Sequence, residues 1–153
     1  MNQETKMAFN AYPIDLRKTL LSVRELIFTV AKTENAGPLE ETLKWGSPAY
    51  LTVLRGGTTI RLEKGLEDGI AAVRVHCQTP IMRSFKKIYG DQFQYDGDRG
   101  LLLDIYKPLP EKAVSDFIAL ALTYHARKKK RLERRSSPFS SKKNQYRVSG
   151  FRK

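Results

Sequence analysis

Apolar residues recur near the start of the chain at the spacing of one helix face: Leu16, Leu20, Val23, Ile27 and Val30. Leu21 and Phe28 widen this stripe, as a helix laid on a sheet requires. Pro13 suits a first helical turn, and Asn35-Ala36-Gly37-Pro38 is a stop signal. The period then shortens to two. Residues 42–45 and 49–54 read as strands, and Gly56-Gly57 reads as a hairpin turn. Residues 58–63 put Ile60 and Leu62 on one face with Arg61 and Glu63 on the other, and 65–69 is a turn. Residues 70–77 form a strand with Val73, Val75 and Cys77 inward. Thr79-Pro80 reads as a cap and first turn of a helix that buries Ile81, Met82, Phe85 and Ile88 and stops at Gly90. Strands follow at 93–95 and 100–106, joined by the turn Asp96-Gly97-Asp98-Arg99. A last helix from Glu111 buries Val114, Phe117, Ile118, Ala121 and Leu122 and runs to about Arg131. This order predicts an α+β fold: a two-layer sandwich with a mostly antiparallel sheet of five to six strands, and N-terminal, middle and C-terminal helices.

The segment 40–50, EETLKWGSPAY, holds the only tryptophan, Trp45. Gly46 adopts backbone angles closed to other residues and Pro48 lacks a ladder donor, so a corner is expected there, with the strand resuming at Tyr50. Two readings stand for Trp45. It is a corner of the core, or with Tyr50 it lines the mouth of a pocket.

At 153 residues the chain has the length of one domain with a proper core. No run approaches the roughly 20 apolar residues of a membrane span, and the first residues show no secretory pattern, so a cytoplasmic protein is expected. The single cysteine, Cys77, excludes an internal disulfide and reads as a small buried hydrophobe.

The net charge of +12 suggests a nucleic-acid partner until it is divided. Residues 126–153 hold twelve Lys and Arg against one acid, whereas 1–125 hold sixteen against fifteen. The basic character belongs to the tail. A globular domain over 10–131 and a basic disordered tail over 132–153 are expected. Lys128, Lys129, Lys130, Arg131, Arg134 and Arg135 would attract phosphates through counterion release, with Tyr146 and Phe151 able to stack on bases.

Several stretches resemble the YdhG-like family of small bacterial domains of unknown function. Trp45, Gly46, Pro48 and Tyr50 match its Trp-Gly-x-Pro-x-Tyr segment. VHCQTPIMRSF around Cys77 resembles a strand-to-helix junction of one branch, and QYDGDRGLLLDI resembles its Gly-x-Arg turn at Gly97 and Arg99. ALTYHARK, with Tyr124 and His125, resembles its final helix. The resemblance implies a two-layer sandwich and, through one member described as a frataxin-like iron chaperone, iron as a cofactor or cargo. It carries over no catalytic residue, and enzymatic activity stays open.

On the residues themselves, Asp96 and Asp98 are the metal candidates, although Asp-Gly-Asp is also ordinary turn chemistry. Adjacent strand positions place His76 and Cys77 on opposite faces, and His125 could approach Cys77 or Trp45 across the layers. No phosphate loop or nucleophile elbow is present. The candidate pocket gathers Trp45, Pro48, Tyr50 and Arg61 with Arg99, Tyr124 and His125, and its arginines would favour a small anion. Arg61 and Arg99 could instead pair with Glu63 or Asp98. The chain therefore reads as a small binding domain for an anion or iron, or as a nucleic-acid-associated protein that acts through its tail.

Overall fold

The computed structural model describes residues 1–136. Two helices, α1 (Gln3–Ala11) and α2 (Ile14–Thr33), lead into β1 (Leu39–Lys44), β2 (Ser47–Thr52), β3 (Ile60–Lys64) and β4 (Ile70–Arg74). Helix α3 (Ile81–Tyr89) precedes β5 (Gln94–Asp96) and β6 (Gly100–Asp104), and α4 (Glu111–Leu122) and α5 (Tyr124–Ser136) follow. The six strands form one sheet in the order β1-β2-β3-β4-β6-β5, antiparallel at every pairing. The α+β architecture expected from the alternation of patterns is therefore present.

The helical stripe of α2 packs as its spacing requires, with Leu20, Val23 and Ile27 fully buried. It meets α4 and the inner face of the sheet, where Tyr50, Ile60, Leu62, Val73, Leu101 and Leu103 point. Phe85 of α3 joins this core by packing on Phe117 and Tyr95. Burying each such side chain stabilises by roughly 1.5–3 kcal/mol. The outer face is different in kind. The alternation that sends Ile60 and Leu62 inward sends Arg61 and Glu63 outward, and cross-strand register adds Ala49, Ala72 and Arg74 to that face.

Several local expectations are corrected. Helix α1 is additional to the expected elements, and only Thr5 and Phe9 of it are buried. Gly56-Gly57 lies in the β2–β3 hairpin as expected, but within a seven-residue connection and not as its two-residue turn. It receives the α4–α5 junction: the Ala126 N–H donates to the Gly56 carbonyl and the Thr58 N–H to the Ala121 carbonyl, both at 2.9 Å. A Cβ on Gly57 would lie 2.5 Å from the Leu122 backbone, so glycine is required by close approach. Thr79 does not cap α3, because its hydroxyl donates to the His76 carbonyl. Ile88, expected inward, is exposed near the end of α3. The final helix breaks at Thr123 and restarts as α5 through Ser136, so 132–136 are helical rather than tail. The remainder of the expected tail, with Tyr146 and Phe151, lies outside the described residues.

Candidate functional site

Trp45 and Gly46 are the two central residues of the β1–β2 hairpin, with Lys44 paired to Ser47 across them. Both have positive φ, 55° and 78°, which makes this a two-residue turn of the type that prefers Asn-Gly. A tryptophan held there is strained by about 1 kcal/mol. The residue is 91% exposed. The expectation of a core corner is thereby corrected, and β2 resumes at Ser47, before Pro48.

Trp45 stands at one end of a groove of about 640 Å³ on the outer face of the sheet. The adjacent turn brings exposed Leu66 beside it, and the opposite end is formed by Arg99, His76 and Cys77. Four cations, Lys44, Arg61, Arg74 and Arg99, line the groove against two carboxylates, Glu63 and Asp96. Arg61 and Arg74 lie directly opposite each other in the β3–β4 register. Like charges in that position repel, and Glu63 bridges them. One Glu63 oxygen takes Arg61 Nη1 at 3.1 Å and also the Ser47 hydroxyl at 2.7 Å, while the other takes Arg74 Nε. Arg74 Nη1 reaches Asp96 Oδ2 at 2.5 Å across to β5. Arg74 is only 8% exposed, so the network forms a half-buried charged floor. Arg99 makes no ion pair among the described residues and stands exposed beside it.

The inner face carries a second cluster. Glu41 pairs with Tyr50 across the hairpin and accepts its hydroxyl at 2.7 Å, and Arg24 of α2 grips Glu41 at 2.5 and 3.1 Å. Burial works to raise the Glu41 pKa, but the Arg24 and Tyr50 hydrogen bonds outweigh it and hold the carboxyl below its ordinary value. Burial first, then the Glu41 carboxylate, pushes the Tyr50 hydroxyl far above its usual range.

Of the seven expected pocket residues, Trp45, Arg61 and Arg99 come together in the groove. Tyr50 does not, because it is fully buried on the helix side against Phe28. Pro48 is buried inside β2. Tyr124 and His125 sit side by side at the start of α5, outside the groove. His125 therefore does not share the groove with Cys77 and Trp45. Cys77 is exposed rather than buried, because β4 ends at Arg74 and the strand alternation stops applying. His76 and Cys77 accordingly share the groove instead of taking opposite faces.

The expected metal pair does not assemble. Asp96 is bound to Arg74, Asp98 is exposed in the turn, and no three His, Cys, Asp or Glu side chains gather as a metal cage among the described residues. With cations in excess around Asp96, this donor set does not fit iron. Sequence reasoning missed Arg74, Asp96 as its partner, and Lys44 as groove residues. The alternation of β3 and β4 carried a signal for Arg74, whereas the Asp96 pairing depends on β5 reaching the sheet edge.

No protein-family model, no curated protein and no solved structure matches this chain, so its fold and groove are read from their own geometry.

Proposed function

We propose that the protein is a non-enzymatic binding domain that holds a small anion on the outer face of its sheet. The observation that carries this reading is the placing of Trp45, at a strained and fully exposed turn, at the end of a groove whose floor opposes Arg61 to Arg74. The turn strain costs stability, and because Glu63 and Asp96 already offset the opposed arginines, the positive charge left for an anion is that of Lys44 and Arg99. Arg99 supplies a free guanidinium for a two-point clamp on carboxylate or phosphate, and Trp45 with Leu66 supplies the apolar end.

The test is a set of amide-shift titrations of the full chain with inorganic phosphate, citrate and Fe(II). Phosphate or citrate should give saturable shifts at the Trp45 indole and at the Gly97 and Gly100 amides. Arg99→Gln should weaken that binding about tenfold, the loss of one charge-assisted contact. Fe(II) broadening at the groove with no anion response would replace the reading with a metal one.

A further inference from the structure

Beyond its first turns, helix α5 stands clear of the domain. None of its residues is buried, and it leaves α4 at Thr123, where the helical angles break. Its first turns are moored by the Ala126–Gly56 hydrogen bond and by Arg127, which donates to the Thr123 hydroxyl and the Leu120 carbonyl at 2.9 Å. Beyond Arg127 no side chain of α5 makes an ion pair among the described residues.

Residues 127–135 carry seven Lys and Arg against Glu133 alone. At about 100° per residue, Arg127, Arg131 and Arg134 share one side, Lys128 and Arg135 flank it, and Lys129 points nearly opposite. Lys130 lies on the other flank, so six of the seven cations fall within one arc of about 160° and only Lys129 lies outside it. Like charges three and four residues apart destabilise a helix by a few tenths of a kcal/mol each, so the arrangement favours a polyanion that relieves them. An anionic bilayer is a poorer match, because a surface helix needs an apolar face and Leu132 is the only large aliphatic side chain on α5.

We infer that α5 docks duplex DNA, lying in the major groove and neutralising phosphates on both walls without reading the bases. A helix of about 10–12 Å diameter matches a major groove of about 12 Å, and a cationic arc of about 160° turned into the groove reaches the phosphates of both walls. The deep, narrow major groove of duplex RNA does not admit it. This inference is independent of the anion groove on the sheet.

The experiment is fluorescence anisotropy of the full chain with a labelled mixed-sequence DNA duplex of about 20 base pairs, from about 50 to 200 mM salt. Affinity should fall steeply, by a slope of about −0.9 per phosphate neutralised. Replacing Lys129, Lys130, Arg131 and Arg134 together by Gln, a good helix former, should make that slope shallower by about 3 and weaken low-salt binding at least tenfold. Circular dichroism should show helicity kept or raised in that variant. A second variant with Lys142, Lys143 and Arg147 changed to Gln should retain most of the slope. No duplex binding at about 50 mM salt would overturn the inference. So would an unchanged slope in the α5 variant, tighter binding to single strands or duplex RNA, or binding only to phosphatidylserine vesicles.

Discussion

The Tyr12 hydroxyl donates to the Leu62 carbonyl at 3.0 Å, and that carbonyl faces Pro48 across the gap between β2 and β3. The hairpin register sets this geometry. Lys44 and Ser47 close the two-residue turn, so alternation directs Pro48 and Tyr50 toward β3 and leaves Leu62 opposite Pro48. Proline has no N–H to offer, and pairing between the two strands is confined to Ala49 with Arg61 and Tyr50 with Ile60. Tyr12, from the link between α1 and α2, fills the missing donor.

Tyr12→Phe should cost about 1–2 kcal/mol in urea unfolding, the cost of leaving a part-buried acceptor unpaired. In a Pro48→Ala background, where an N–H is restored, the same change should cost at least about 0.5 kcal/mol less. Strict additivity of the two changes would show that Tyr12 acts by packing alone.

The charged floor should be asymmetric in its energetics. Arg74→Met leaves Glu63 and Asp96 half-buried without their shared partner and should destabilise by about 3 kcal/mol. Arg61 and Glu63 are more open, at 27% and 22% side-chain exposure, so Arg61→Gln should cost under about 1 kcal/mol. Chemical denaturation of the two variants side by side checks the ranking, and equal losses would contradict a floor organised on Arg74.

Stability should fall with acid through Glu41. Its folded pKa lies below the ordinary 4.5, so its contribution is full above that value and is lost as pH drops through the folded pKa. Glu41→Gln should be less stable at pH 7 and lose less on going from pH 5 to 3. At the alkaline end Tyr50 acts in the opposite direction. Its raised pKa contributes stability that is full below the ordinary 10.0 and declines as pH rises above it. Tyr50→Phe should flatten that alkaline decline. Unfolding midpoints across pH 3 to 11 test both, and parallel profiles for wild type and variants would contradict the assignment.

The two neighbouring glycines should differ sharply. Gly57→Ala drives a Cβ into the Leu122 backbone and should destabilise by about 2–3 kcal/mol. Gly56→Ala meets only the Ala126 Cβ at 3.5 Å, an ordinary contact, and should stay within about 1 kcal/mol of wild type. Thermal unfolding of both variants separates a docking glycine from a merely flexible loop.

The sequence carried most of the layer structure, because α2, β3 and α4 each bury a face whose period is local. Leu16 to Val30, Ile60 with Leu62, and Phe117 with Ile118 fall where their spacing puts them. The site was half legible. Arg61 alternates outward from buried neighbours, and Arg99 follows a Gly-containing turn, so both could be placed in the groove. Trp45 was ambiguous because Trp-Gly is a rare filling for a turn that favours Asn-Gly, and with the strand taken to resume at Tyr50 the face of that residue was not fixed. A two-residue turn at Trp45-Gly46 pairs Glu41 with Tyr50, and parity then sends Tyr50 inward. Arg74 with Asp96 and Gly57 with Leu122 depend on segments brought together only by the folded chain. No local pattern encodes them.

The central claim is that Trp45 occupies its strained turn for the groove and not for the fold. Trp45→Asn puts the preferred residue at φ 55°, and it separates these roles. The variant should unfold at a temperature about 2–4 °C higher, from relief of about 1 kcal/mol of strain. The decisive measurement is a citrate titration of Trp45→Asn beside wild type, followed by the Gly97 and Gly100 amide shifts. Saturable shifts in wild type with affinity at least several-fold weaker in the variant are expected. Equal citrate affinity in the two proteins, or no groove response in wild type, would contradict the account.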